Sequence, residues 1–403
     1  MQILFSLTYY TPYSSGLTLY VKRLGEALVK KGFDVTVLTM NFDKHCRSAE
    51  IVNGIKIVRV DYLARISKGF ISLDWVIKSW QEVKKAHAII INLPQFEGLI
   101  PAILGKILGK KVISIYHCEV NLPDGLSHKI IEWFLSLSHF LTLSLSNIVI
   151  TYTEDFAKHS KLLRHFSSKL QFIYPPILVA SIDKRIQKVL NGKIGKVDYV
   201  IGVAARLAAE KGIEYLLEAV PEITSLLRLS GEEQSDDSRI TSSVNDSGQA
   251  RMTVKTGIKI IIAGSLSPVG EENYKRKLYD LVEKYKDYVV FLGELKERKM
   301  GSFYSLLDVL VLPSINSTEA FGMVQVEAMM MGVPVVATNL PGVRIPIKKT
   351  GMGKIVTVKN SKELAEAIVE VLEDKKKYIK DSRFVKDEFS IEKTIEFYQK
   401  LLS

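Results

Sequence analysis

Short apolar runs alternate with segments of helical periodicity along nearly the whole chain, the pattern expected of parallel sheets built from βαβ units. In the first half the runs fall at residues 3–7, 35–39, 55–60, 88–93, 111–115, 147–152 and 170–173. Between the first two, Leu17, Tyr20, Val21, Leu24, Ala27 and Leu28 recur at the spacing of one helix face, and Gly32 stands where that helix should stop. The rhythm breaks at Tyr174-Pro175-Pro176, which can continue neither a helix nor a central strand, and a lysine-rich stretch runs on to Lys196. A second series follows at 199–203, 258–263, 289–292, 309–312 and 333–337. The pattern therefore predicts an α/β chain with an N-terminal Rossmann-like domain at 1–174, a hinge at 175–197 and a C-terminal Rossmann-like domain at 198–385. Residues 229–257, rich in Ser, Asp, Glu and Gly, read as a flexible insertion with little to bury. Ile391, Ile395, Tyr398, Leu401 and Leu402 share one face and predict a packed helix within 386–403, expected to return to the N-terminal domain.

Length agrees with this division, since 403 residues exceed what one hydrophobic core usually serves. Two cysteines, Cys46 and Cys118, are too few for a disulfide scaffold and point to a reducing compartment. The first residues lack the basic region and small-residue cleavage site of a signal peptide and read as a strand, so a cytoplasmic location is expected. The net charge is +11, unevenly placed. Residues 1–175 hold 21 Lys+Arg against 13 Asp+Glu, 21 − 13 = +8; the remainder holds 34 against 31, +3. A basic N-terminal half fits an anionic partner such as a lipid surface, and equally a solvated lysine-rich surface; no nucleic-acid motif accompanies it. From Trp133 to Thr153 no charged residue occurs, but Ser, His, Thr and Asn interrupt the stretch. It parses as an amphipathic helix and a buried strand, with peripheral contact to an anionic membrane as one reading of the helix.

Two facing Rossmann-like domains bind ligands in the cleft at the carboxyl ends of their strands, so loops that follow strands carry the search for chemistry. The run from Ser317 to Ala337 follows the strand ending at Leu312-Pro313 and places Glu319 in a loop. A helix is expected from Phe321 or Gly322 to about Met331, stopped by Gly332. The N–H groups of Gly322, Met323 and Val324 would then suit a phosphate, with Gly322 allowing close approach. A carboxylate repels phosphate, so Glu319 and Glu327 suit the hydroxyls of sugar and ribose. Arg206 ends the first strand of the second series, and Lys211 precedes a helix opening near Gly212. Two cations so spaced can clamp a diphosphate, Arg as a fork and Lys as a point charge.

With these residues in place, the chain resembles the retaining GT-B glycosyltransferases, the group 1 enzymes that include glycogen synthase-like, sucrose synthase-like and phosphatidylinositol mannosyltransferase-like members. Glu319 and Glu327, seven residues between them, match that family's E-x7-E signature, and Arg206 with Lys211-Gly212 matches its diphosphate-binding pair. The resemblance implies that Glu319 orients the donor sugar, Glu327 holds the ribose, and Phe321 lines the donor site. It also implies that Gly264 and the Leu292-Gly293-Glu294 turn line the nucleotide pocket. Gly16 matches half of a glycine pair, Ser15 standing where the family often has the other glycine. His117 matches the histidine near the transferred sugar, although a histidine there taken alone reads as a structural hydrogen-bonder. After Leu340-Pro341-Gly342 the family often carries an acid, whereas here Val343-Arg344 follows, leaving Arg344 as a donor contact or a helix cap.

The resemblance implies two Rossmann-like domains facing across a cleft and a hexosyltransferase that needs no metal. The donor is a UDP-, GDP- or ADP-sugar, and the acceptor a glycan, lipid-linked or small-molecule hydroxyl. No cofactor is expected, and no Asp-x-Asp pair occurs to hold a metal. Rival readings are a nucleotide-sugar epimerase or hydrolase of the same architecture and a silent sugar-nucleotide-binding protein. A nicotinamide dehydrogenase is the weakest reading, because Thr11-Pro12-Tyr13-Ser14-Ser15-Gly16 and not G-x-G-x-x-G follows the first strand.

Overall fold

In the computed structural model, residues 1–43, 45–66, 69–122, 125–179, 181–235, 257–265 and 272–403 are described. They fall into two compact units. The first comprises Met1–Leu178, Asn316–Met323 and Phe389–Ser403; the second comprises Val179–Ile315 and Val324–Glu388.

The first unit is built on strands β1 (Gln2–Ser6), β2 (Asp34–Met40), β3 (Ala49–Val52), β4 (Ile55–Val60), β5 (Ala64–Ile66), β6 (Gly69–Ile71), β7 (Ala88–Leu93), β8 (Lys111–Tyr116), β9 (Ile148–Thr151) and β10 (Leu170–Phe172). Its main sheet has the order β10-β9-β8-β7-β1-β2-β4-β3, parallel except for the antiparallel edge pair β3–β4. Helices α1 (Gly16–Lys30), α2 (Asp74–Lys85), α3 (Leu99–Ile107), α4 (Leu126–Leu145) and α5 (Glu154–His159) connect the strands. The apolar runs become strands because helices cover them: every residue of β7 is buried, and its Ile-rich sequence suits a position with both faces packed. Helix α1 buries Tyr20, Val21, Leu24 and Leu28, as its periodicity predicts.

The second unit carries β11 (Tyr199–Ala204), β12 (Ile258–Ala263), β13 (Val289–Gly293), β14 (Val309–Leu312), β15 (Val335–Thr338) and β16 (Gly353–Val356), all parallel in the order β13-β12-β11-β14-β15-β16. Its helices include α6 (Lys184–Ile194), α7 (Ile213–Glu218), α8 (Val220–Ser235), α9 (Glu272–Lys284), α10 (Glu297–Tyr304) and α11 (Met323–Met330). Ile201, Val203, Ile260, Ile262, Val309 and Val311 pack against Leu216, Ile223 and, from the helix Ser361–Glu373, Leu364 and Ile368. In each sheet the strand order reverses once, between β1 and β7 and between β11 and β14. Ligands of open parallel sheets sit at the carboxyl ends of such pairs.

Several expectations need correction. The lysine-rich stretch assigned to the hinge contains α6, capped by the Asp183 carboxylate, which accepts from Arg185 N–H and Ile186 N–H. Leu190 and Ile194, four apart, are buried, and Asp183 N–H and Gln187 Nε2 donate to Ser302 and Ser305. Three lysines and an arginine on the other positions hid this single apolar stripe. The passage between units is therefore at Leu178–Val179, and α6 belongs to the second. The insertion assigned to 229–257 begins later, because α8 continues to Ser235; the rest of it, 236–256, lies outside the described residues. Residues 316–323 cluster with the first unit and not with 198–385. The short strands β3, β5, β6 and β16 were not foreseen, since three or four residues give too little alternation to read.

The C-terminal helix Ile391–Leu402 is part of the first unit, where the Tyr20 and Tyr398 hydroxyls share a buried hydrogen bond of 2.7 Å. Thr394 Oγ1 donates to Tyr174 O, and Arg23 from α1 donates to Pro176 O. These bonds tie the segment after β10 to both helices.

Candidate functional site

In the first unit, the loop after β1 leads into α1 at the reversal point. Ser15 is the helix N-cap, its hydroxyl accepting from Thr18 N–H, which explains a serine where a second glycine was looked for. Gly16 opens the helix, and a Cβ built on it would meet Met323 Cε at 3.5 Å. Two residues predicted for the donor site thus lie together.

His117 follows β8 and is buried, with both ring nitrogens engaged: Nδ1 with Tyr152 Oη at 2.5 Å, Nε2 with Asn92 Oδ1 at 3.0 Å. Asn92 Nδ2 donates to Ser6 O and Ile90 O, which turns its Oδ1 toward the histidine. The proton therefore sits on Nε2, and Nδ1 accepts from the Tyr152 hydroxyl. Burial lowers the His117 pKa to about 3, so the ring is neutral near pH 7 and is not an imidazolium acid. Tyr152 stands well above the ordinary tyrosine value, chiefly through burial, with the neighbouring Tyr20, Cys118 and Glu319 pushing it the same way.

The segment 316–323 is held on this unit by Glu119 N–H, which donates to Ser317 O, and by Phe321, whose ring meets Tyr152, Tyr174 and Phe389. Asn316 accepts from Thr318 N–H and from its hydroxyl, and Glu319 N–H donates to Asn316 O. Glu319 is half-buried in that tight turn. Gly322 has φ 75, a left-handed conformation that glycine adopts without strain, and α11 starts at the next residue.

In the second unit, the loops after β11, β12, β13 and β14 are cross-linked by their backbones. Leu207 N–H donates to Ser265 O, Gly264 N–H to Gly293 O, and Ile315 N–H to Glu210 O. Gly264 is required by this contact: a Cβ there would lie 1.9 Å from Ala205 O. Gly212, at φ 60, lets the loop return onto β14, where a Cβ would meet Pro313 O at 2.3 Å. Arg206 forms an ion pair with Glu210 at 2.8 Å while 35% of its side chain stays exposed. Lys211 ends a turn of 3-10 helix, Ala209–Lys211, in the same loop. Glu327, on α11, is buried, and its Oε2 accepts from the Tyr304 hydroxyl of α10 at 2.7 Å.

Comparisons with known proteins identify the family and the fold. Residues 184–386, half of the chain, match the Glycosyl transferases group 1 family, and residues 14–180 match Glycosyltransferase Family 4. The chain belongs to the group 1 glycosyl transferases. An uncharacterized glycosyltransferase of Methanocaldococcus jannaschii is 26% identical over 377 residues, 89% of this chain and 85% of that protein. Among solved structures, sucrose-phosphate synthase of Thermosynechococcus elongatus has a TM-score of 0.70 at 18% identity, covering 99% of this chain and 98% of that one. HepE of Anabaena, in complex with UDP-glucose, has a TM-score of 0.72 at 17% identity, covering 100% and 99%. These structures share the GT-B fold of two Rossmann-like domains.

Within this glycosyltransferase, the predicted residues form two sets. Gly16, His117, Glu319, Phe321, Gly322 and Met323 belong to the first unit; Arg206, Lys211, Gly264, Leu292, Gly293, Val324 and Glu327 belong to the second. Arg344 stands at the N-cap position of the helix Ile345–Thr350 without a side-chain cap bond to it, and its guanidinium donates to Asn339 Oδ1. Sequence reading missed Asn92, Tyr152, Glu210 and Tyr304, which hold the predicted residues in place. Only Glu210 left a signal, four residues after Arg206 in the same loop.

Proposed function

We propose that this glycosyltransferase moves a hexosyl group from a nucleoside-diphosphate sugar to an acceptor hydroxyl, with retention of anomeric configuration and without a metal ion. The observation that carries the reading is the loop after β11. It places Arg206, steadied by Glu210, and Lys211 at the strand where the second sheet reverses its order. Cations there offset the charge that develops on a departing diphosphate, the work a divalent ion does elsewhere. The positive N-terminal end of α11 suits an anion of the same kind.

Glu319 takes the sugar hydroxyls, and Glu327, aimed by Tyr304, takes the ribose. The acceptor oxygen bonds to the anomeric carbon on the face from which the phosphate oxygen departs. The bond from that carbon to the phosphate oxygen breaks, and the acceptor's proton passes to the departing oxygen, so no protein nucleophile is involved. His117 acts as a neutral hydrogen-bonding group, trading one internal partner for a hydroxyl of the transferred sugar.

The test is a thermal-shift and turnover panel of UDP-, GDP- and ADP-hexoses with a chelator present, UDP-glucose first because HepE was solved with it. One base series should raise the melting temperature, and product NMR should show the donor's anomeric configuration. An inverted product overturns the mechanism; hydrolysis with no transfer to any hydroxyl acceptor overturns the reaction. Glu319→Ala should lower turnover more than donor affinity, and equal losses in both count against its role.

A further inference from the structure

Helix α4 is built inside out. Ile130, Trp133, Phe134, Leu137, Phe140 and Leu141 are exposed and fall within about 120° of one another around the helix axis. The opposite face, turned to the protein, carries Ser138, His139 and Thr142 beside one leucine, Leu143, all buried. These polar groups serve the interior: Gln95 N–H donates to His139 Nε2, Ser138 Oγ to Phe96 O, and Thr142 Oγ1 to Ser138 O. A helix meeting water would carry the reverse arrangement.

The exposed apolar surface continues beyond α4. Helix α3 packs against α4 on one side and α2 on the other, and Trp80, Phe96 and Ile107 are exposed on α2, the turn Phe96–Gly98 and α3. Trp133 is 61% exposed, Phe134 53% and Trp80 45%. So large an apolar surface on one layer marks an interaction face.

Charge identifies the occupant. Of the three carboxylates on α2, α3 and α4, only Asp74 is exposed: Glu82 is buried against Lys56 and Lys85, and Glu132 is half-buried and accepts from Leu122 N–H. Lys78, Lys84, Lys106 and Lys129 are all exposed among the apolar positions. Protein interfaces are depleted of lysine at their centres, whereas helices at a bilayer surface combine Trp, Phe and Leu with lysines that reach anionic headgroups. No described helix is long and apolar enough to cross a membrane.

We propose that the α2–α3–α4 face docks this protein on an anionic bilayer surface, its Trp and Phe side chains entering the headgroup boundary and its lysines meeting lipid phosphates. The inference rests on no step of the transfer chemistry, and donor-induced thermal shifts measured on the same variants keep the two separate.

The test is co-sedimentation of the full chain with phosphatidylcholine vesicles, with and without one third phosphatidylglycerol. The protein should bind the anionic vesicles, less so at high salt, and brominated acyl chains should quench its tryptophan fluorescence. Trp133→Ser with Phe134→Ser removes exposed side chains only; it should leave circular dichroism and donor shifts unchanged and weaken vesicle binding roughly tenfold or more. Lys84→Gln with Lys106→Gln should remove the preference for phosphatidylglycerol. Absence of binding to either vesicle overturns the proposal, as does binding that the Trp133/Phe134 variant leaves intact. A wild-type dimer that this variant converts to a monomer, with vesicle binding absent, assigns the face to a second copy instead.

Discussion

Near the carboxyl edge of the first unit's sheet, the polar side chains are buried and bonded to one another: Asn92 to His117, His117 to Tyr152, Tyr20 to Tyr398. At the same edge of the second sheet Arg206 and Lys211 are charged and partly exposed, and the loop that bears them is fixed by backbone bonds and by glycines that permit close approach. Two sheets of similar topology thus prepare their reversal points differently. A network of neutral buried groups costs dearly when one member is removed, because the partners left behind have no water. A half-exposed cation costs little stability and is available to an anionic ligand.

That difference is broken most severely at Arg206. Arg206→Ala should lower kcat/KM by roughly 100- to 1,000-fold, about 3–4 kcal/mol of transition-state stabilisation, while unfolding in urea shifts little. Steady-state kinetics with the donor found in the panel measure the first, and the urea midpoint the second. A large loss of stability with unchanged kcat/KM would reverse the contrast between the units.

His117→Ala asks the converse. It leaves Asn92 Oδ1 and the Tyr152 hydroxyl buried without their partner, and should cost about 2–4 kcal/mol of stability. All three tryptophans, Trp75, Trp80 and Trp133, lie in the first unit, so their fluorescence during urea unfolding reports on it.

The same network should be visible in the pH dependence. Burial lowers the pKa of both His117 and His139 to about 3, against 6.5 for the exposed side chain. Between those values the unfolded chain binds more protons than the folded one. Their neutral burial is therefore fully compatible with the fold above pH 6.5, and stability is lost as pH falls from there toward 3, by up to about 1.4 kcal/mol per pH unit for each ring. Urea midpoints followed by tryptophan fluorescence across this range check it, and His117→Ala should flatten the slope by one ring's share.

The sequence shows the second unit's chemistry better than the first's. Arg206 sits just beyond β11 and Gly264 just beyond β12, and a simple apolar run reveals both strands. The partners of His117 lie 25 and 35 residues away, on β7 and just after β9, and only the order of the sheet brings them beside β8. Helix α6 was obscured because its two buried residues are outnumbered by lysines. For α4 the apolar count was legible, but not its orientation: periodicity identifies an apolar stripe, and cannot say which stripe faces the protein when the buried one sets Ser138, His139 and Thr142 beside a single buried leucine, Leu143.

The smallest effect concerns the C-terminal helix. Tyr20 and Tyr398 are fully buried, and their hydroxyls join α1 to that helix across 378 residues of sequence. Tyr398→Phe or Tyr20→Phe should each cost about 1 kcal/mol, because the remaining hydroxyl loses its partner in a dry site. The double replacement should cost less than the sum of the two, since it leaves no orphan hydroxyl and keeps both rings packed. A double-mutant cycle in urea gives the coupling directly. Strict additivity would mean that each hydroxyl finds another partner, and that this bond does not couple α1 to the last helix.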